Sequence, residues 1–163
     1  RKEVVDFAGP YYVAGQDILV KADDDSITGV EDLNGKKVCS VTGSTSLTNV
    51  QEKAPQADVS VVFDKYSLCV EALNDGRVQA VTTDNIILLG FVADSDGDLK
   101  IVGNPFTTEP YGIGLKKGDT ELRDFVNDVL EQSYADGSWK DAFDETVGVS
   151  GEKAPTPTPV DRY

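Results

Sequence analysis

The sequence predicts an α/β fold, a mostly parallel sheet with flanking helices. Three observations carry that expectation. Short runs of β-branched residues alternate with segments of helical period. The 163 residues are 39% hydrophobic, enough for a packed core. No apolar run approaches the roughly 20 residues that a membrane span requires.

The elements follow in order. Asp17 to Ala22 (DILVKA) and Lys36 to Val41 (KKVCSV) read as strands, with Gly35 turning the chain before the second. Ser44-Thr45-Ser46 opens a helix that runs to about Lys53 and is stopped by Pro55. Val59 to Phe63 is the next strand, and Asp64 is placed to cap a helix whose Tyr66, Cys69, Val70 and Leu73 recur at i, i+3, i+4 and i+7. Asn74-Asp75-Gly76 ends it with a left-handed residue. Val78 to Thr83 is a strand, Asp84 begins the apolar helix Asn85 to Ala93, and Leu99 to Val102 is a short strand. Tyr111 to Lys117 is the last strand. A helix then runs from Asp119 to about Asp136, with Leu122, Phe125, Val126, Val129, Leu130 and Tyr134 as its apolar stripe and Gly137 just past its end. Trp139, Ala142, Phe143 and Val147 mark a short second helix. The proline-spaced tail Gly151 to Tyr163 is expected to be extended or disordered.

Composition narrows function. Lys and Arg number 15 against 29 Asp and Glu, a net charge of −14 at pH 7, and histidine is absent. So negative a surface repels phosphate backbones and anionic lipid headgroups, which argues against nucleic-acid and peripheral-membrane roles. Without His there is no Ser-His-Asp or Cys-His nucleophile pair and no imidazole zinc site. Without Met, residue 1 is not read as a translation start. Cys39 and Cys69 are too few for a structural zinc site, leaving two buried thiols or one disulfide.

Three motif-like strings fail. Gly29 to Lys37 has the wrong glycine spacing for a phosphate loop, lacks Ser or Thr after the lysine and precedes a strand instead of following one. Gly112-Ile-Gly114-Leu-Lys-Lys-Gly118 misses the dinucleotide spacing by one residue and lies within a strand. Asp94, Asp96 and Asp98 do not match a calcium loop, since Gly97 and Pro105 fall at the wrong positions. No metal and no cofactor are expected.

Two strand ends carry interpretable chemistry. In a parallel arrangement, strands 36–41 and 78–83 present their carboxyl ends on one edge, where open α/β folds bind ligands. After the first comes Val41-Thr42-Gly43-Ser44-Thr45-Ser46, a turn into a helix N-terminus with hydroxyls and unpaired N–H groups that suit an anion. After the second comes Thr82-Thr83-Asp84, with hydroxyls and one carboxylate that suit a cation. Either end alone reads more readily as a helix cap than as a ligand contact. Together they fit a zwitterionic α-amino acid.

The sequence resembles the amino-acid-specific solute-binding proteins of ABC importers, the type II periplasmic-binding-protein fold, and within them the glutamate-binding lipoproteins of actinobacteria. The resemblance rests on Arg1 to Val20, Asp32 to Ser46, Asp64 to Asn85, Tyr111 to Gly118, Trp139 to Gly148 and the Pro-rich ending. It implies that Arg1 binds the ligand carboxylate through its planar fork, joined by donors at Thr45 and Ser46. It assigns the α-ammonium to Asp84 and part of the side-chain selectivity to Thr42 and Thr83. It divides the chain into a lobe-one strand and hinge crossing (1–13), a complete lobe two (14–108), a return crossing with the C-terminal helices of lobe one (109–150) and the tail (151–163). The remainder of lobe one is expected to lie outside this sequence.

The implied function is a non-catalytic, extracytoplasmic receptor, anchored as a lipoprotein, that captures L-glutamate or a similar polar amino acid and docks as a monomer on membrane permease subunits. The alternatives are a dehydratase-like enzyme on the same fold, disfavoured by the missing His and by the absence of a base beside the anion turn, and an amino-acid-sensing module of a larger receptor. Extracytoplasmic placement favours a Cys39–Cys69 disulfide, with Cys39 mid-strand and Cys69 on the core-facing stripe of a helix that would pack on the sheet.

Overall fold

The computed structural model describes residues 3–163. The chain forms two compact units, one spanning Gly15–Thr108 and one combining the segment up to Ala14 with Glu109–Tyr163.

The Gly15–Thr108 unit is a five-stranded sheet flanked by helices. In chain order its elements are β2 (Gln16–Lys21), β3 (Val38–Val41), α1 (Thr45–Lys53), β4 (Val62–Phe63), α2 (Tyr66–Asn74), β5 (Ala80–Asp84), α3 (Asn85–Ala93) and β6 (Leu99–Ile101). The strand order is β4-β3-β5-β2-β6. β3 pairs in parallel with β4 and β5, whereas β2 runs antiparallel to both β5 and β6, so the sheet is mixed where alternation predicted a mostly parallel one. The reversal follows from where the chain enters. Gln16 sits opposite Asp84, so β2 starts at the edge where β5 ends.

Period-two alternation buries both faces of the strands. Leu19, Cys39 and Val81 point to one side and pack with Cys69, Leu73 and Leu88. Ile18, Val20, Val38 and Ala80 point to the other and pack with Leu33, Val50 and Ala54. On the first side Cys39 and Cys69 form a disulfide, with Cα atoms 5.5 Å apart. The cap of α2 differs from expectation. The helix begins at Tyr66, so Lys65 holds the cap position, without a side-chain bond, and Asp64 lies one residue too early to serve.

In the other unit, β1 (Val5–Ala14) pairs antiparallel with β7 (Glu109–Lys116). α4 (Thr120–Asp136) and α5 (Ser138–Thr146) follow, and a 3-10 turn covers Val147–Ser150. Asp119 caps α4 by accepting from the Leu122 N–H, and Gly137 separates the two helices at φ +85°, a conformation that disfavours any side chain. Trp139 Nε1 donates to the Tyr11 carbonyl and Tyr134 Oη to that of Pro10.

The apolar stripe of α4 is only half on its buried side, where Val126, Leu130 and Tyr134 are half-buried. Leu122, Phe125 and Val129 are 42%, 63% and 48% exposed, while Arg123 and Asn127 are buried. Gly9 N–H donates to Asn127 Oδ1 at 2.9 Å, which ties this row of the helix to β1. The tail has no regular secondary structure but is anchored: Asp161 N–H donates to the Gly9 carbonyl, and Phe7 N–H donates to Tyr163 Oη.

Candidate ligand-binding site

The turn after β3 is held from three directions. Thr42 N–H donates to the Phe63 carbonyl at 2.9 Å, which ties it to β4. Gly43 adopts φ +73°, which favours glycine at the reversal. Ser44 is the N-cap of α1, its hydroxyl accepting from the Leu47 N–H and donating to the Val41 carbonyl. The N–H groups of Thr45 and Ser46, in the first helical turn, have no carbonyl within the helix to bond, and the positive end of the helix dipole lies there. Thr42 and Thr45 are exposed, Ser44 is half-buried and Ser46 is buried.

β5 ends in the other half. Thr83 is buried and Asp84 half-buried, the latter in the cap position of α3 without a side-chain cap bond. Ser46 Oγ and Thr83 Oγ1 lie 3.3 Å apart, which brings the two halves together. Thr82, which the sequence offered as part of the cation end, is fully buried and turned inward, donating to the Asp17 carbonyl. Arg1 lies outside the described residues.

Behind this edge lies a buried polar network that sequence reading missed. Ser40 Oγ donates to the Thr82 carbonyl, and Gln16 reaches Ser46, Thr82 and Asn49 with its carboxamide. The available signal was a glutamine at a core-face position, two and four residues before Ile18 and Val20. Asp17, on the other face, is also buried. Its burial pushes the carboxyl up from the usual range, against the N–H bonds of Ile18, Asn104 and Gly103. Among the described residues, no cluster of three or more His, Cys, Asp or Glu side chains could hold a metal ion. The arrangement can take an anion on the N–H and hydroxyl donors of Thr45 and Ser46, and a cation on Asp84 beside them.

The chain belongs to the bacterial extracellular solute-binding proteins, family 3, whose family model matches residues 1–148. Its fold is that of the type II periplasmic binding proteins. It is 44% identical over 167 residues to the glutamate-binding protein GluB of Corynebacterium efficiens, a match covering 99% of this chain and 56% of that protein. To the ABC transporter glutamine-binding protein GlnH of Bacillus subtilis it is 43% identical over 148 residues, covering 90% of this chain and 53% of that one. Among solved structures, an ancestral arginine-binding protein bound to glutamine matches with a TM-score of 0.76 at 43% identity, over 89% of this chain and 64% of that one. The chain spans about half the length of the curated relatives it matches.

Proposed function

We propose that the chain is lobe two, with part of lobe one, of an extracytoplasmic solute-binding protein that captures L-glutamate or a closely related polar amino acid for an ABC importer. The supporting observation is the contact of Ser46 with Thr83, which sets an anion-seeking helix end against a strand end bearing a carboxylate. An α-amino acid carries both charges on one carbon, so it needs both subsites adjacent. In this reading Thr45 and Ser46 bind the α-carboxylate with Arg1, Asp84 binds the α-ammonium, and Thr42 and Thr83 bear on the side chain. Thr42 and Ser44 flank the donors. The 44% identity to a glutamate-binding protein favours glutamate, and the 43% identity to a glutamine-binding protein keeps the choice among polar amino acids.

Function follows from closure of two lobes on the ligand. Bound amino acid stabilises the closed form by its differential affinity for it, and the closed form docks on the permease. The protein is a receptor and not a catalyst, and is held at the membrane by a lipid anchor. The test is a thermal-shift screen of the two-lobed protein against the twenty amino acids. Ligand at a hundred times its dissociation constant adds about 2.7 kcal/mol. Glutamate or a close relative should raise the melting temperature, and no shift with any amino acid would overturn the reading.

A further inference from the structure

We propose that Gln16 is the positioning residue of this site, holding the donor turn of α1 and the acceptor end of β5 at a fixed separation. The proposal rests on the amino-acid-binding reading above. Gln16 is fully buried at a position whose β2 neighbours on the same face, Ile18 and Val20, are apolar. A carboxamide there is costly unless its groups are bonded. Here they are. Nε2 donates to the Ser46 carbonyl at 2.9 Å and to Thr82 Oγ1 at 3.0 Å, and Oε1 accepts from Asn49 Nδ2 at 2.9 Å.

One planar group thus grips two residues of α1 and one of β5. Its backbone extends the grip. Gln16 faces Asp84 across the ladder, its N–H donates to Thr107 Oγ1, and its carbonyl accepts from the Phe106 N–H. The two residues it fixes by side chain and register, Ser46 and Asp84, are the proposed carboxylate and ammonium partners. An apolar side chain would remove these bonds between α1 and β5 and leave the Asn49 carboxamide without its partner on Gln16.

The proposal separates from simple stabilisation by affinity measured beside stability. In the two-lobed protein, Gln16→Glu keeps the shape but cannot donate to Ser46, and Gln16→Leu removes every bond. Asn49→Ala removes only the brace on Oε1. Val50→Ala is the control, since Val50 is fully buried on the same helix and its apolar side chain makes none of these hydrogen bonds. Calorimetry with L-glutamate should show both Gln16 variants weaker by about ten- to thirtyfold and Asn49→Ala by about threefold, on the scale of lost buried hydrogen bonds. Val50→Ala should lower the melting temperature at least as far and keep its affinity within about twofold. Wild-type affinity in the Gln16 and Asn49 variants, or an equal loss in Val50→Ala, would overturn the positioning role while leaving the site intact. A wild-type protein that binds none of the twenty amino acids would instead overturn the site itself, and the role with it.

Discussion

Ser46 and Thr83 place their hydroxyl oxygens 3.3 Å apart, though 37 residues separate them in the chain. The contact exists because β3 and β5 are parallel neighbours, so the turn that leaves one strand meets the end of the other. Parallel neighbours deliver their two following loops to one edge, and the chemistry of those loops is then set by sequence. Here one loop supplies donors and the other a carboxylate.

Replacing Asp84 by Asn tests the acceptor half. In the two-lobed protein the change should weaken amino-acid binding by about 1.5–3 kcal/mol, the usual worth of a hydrogen bond to a charged group. Stability should hold as far as α3 is concerned, because Asp84 makes no side-chain cap bond to that helix. Titration calorimetry with unchanged affinity would remove Asp84 from the ammonium site.

The disulfide offers a prediction in the opposite sense, on stability alone. Cys39 and Cys69 are both fully buried and 30 residues apart. A loop of that length corresponds to about 3–4 kcal/mol in the chain-entropy model. The double variant Cys39→Ala, Cys69→Ala should lose stability on that order in denaturant unfolding. Glutamate affinity should stay within about twofold, since the bond lies on the sheet face opposite Gln16. Mass spectrometry of the denatured, non-reduced wild type should find no alkylatable thiol.

Legibility in the sequence tracked how local the cause was. Ser44 as a cap, Gly76 and Gly137 as left-handed terminators, and helices α1 and α3 to within a residue were readable because each depends on a few neighbours. The Cys39–Cys69 pairing was readable from alternation plus compartment. The inward turn of Thr82 and the hub at Gln16 were not, because both depend on which helix lands over which strand. The buried side of α4 was half legible: periodicity placed Val126, Leu130 and Tyr134 there, but not Arg123 and Asn127, which lie against Tyr163 and bond Gly9.

Asp6 gives the pH prediction. It is buried, and the Lys117 ammonium at 2.9 Å, with the Gly118 N–H at 2.8 Å, holds its carboxyl below the usual carboxylate range. A lowered folded-state pKa means that the unfolded chain binds the proton more readily. The resulting stabilisation is present above the unfolded value, about 3.9, and is lost as pH falls through the folded value. Lys117→Ala should therefore narrow the difference in denaturant midpoint between neutral pH and about pH 3, and NMR titration should show the Asp6 midpoint rising. An unmoved Asp6 midpoint would show that the ammonium is not what depresses it.

The tail makes the last test. Beyond the bonds of Asp161 and Tyr163 to β1, the Arg123 guanidinium lies 4.7 Å from the Tyr163 ring centroid, and Arg162 bridges Asp128 and Glu131 on α4. The contacts differ in weight. The Arg162 pairs are exposed and add little. The stacked guanidinium is largely desolvated, and the other bonds engage the backbone of Phe7 and Gly9 in β1. Tyr163→Ala should cost about 1–2 kcal/mol, the sum of one cation–π contact and one hydrogen bond at partly buried sites. Arg162→Ala should cost under about 0.5 kcal/mol. Hydrogen exchange should speed up at the Phe7 amide in the Tyr163 variant and stay unchanged at the Ile18 amide of the other unit. Equal exchange at Phe7 in both proteins would show that the tail does not cover this strand edge in solution.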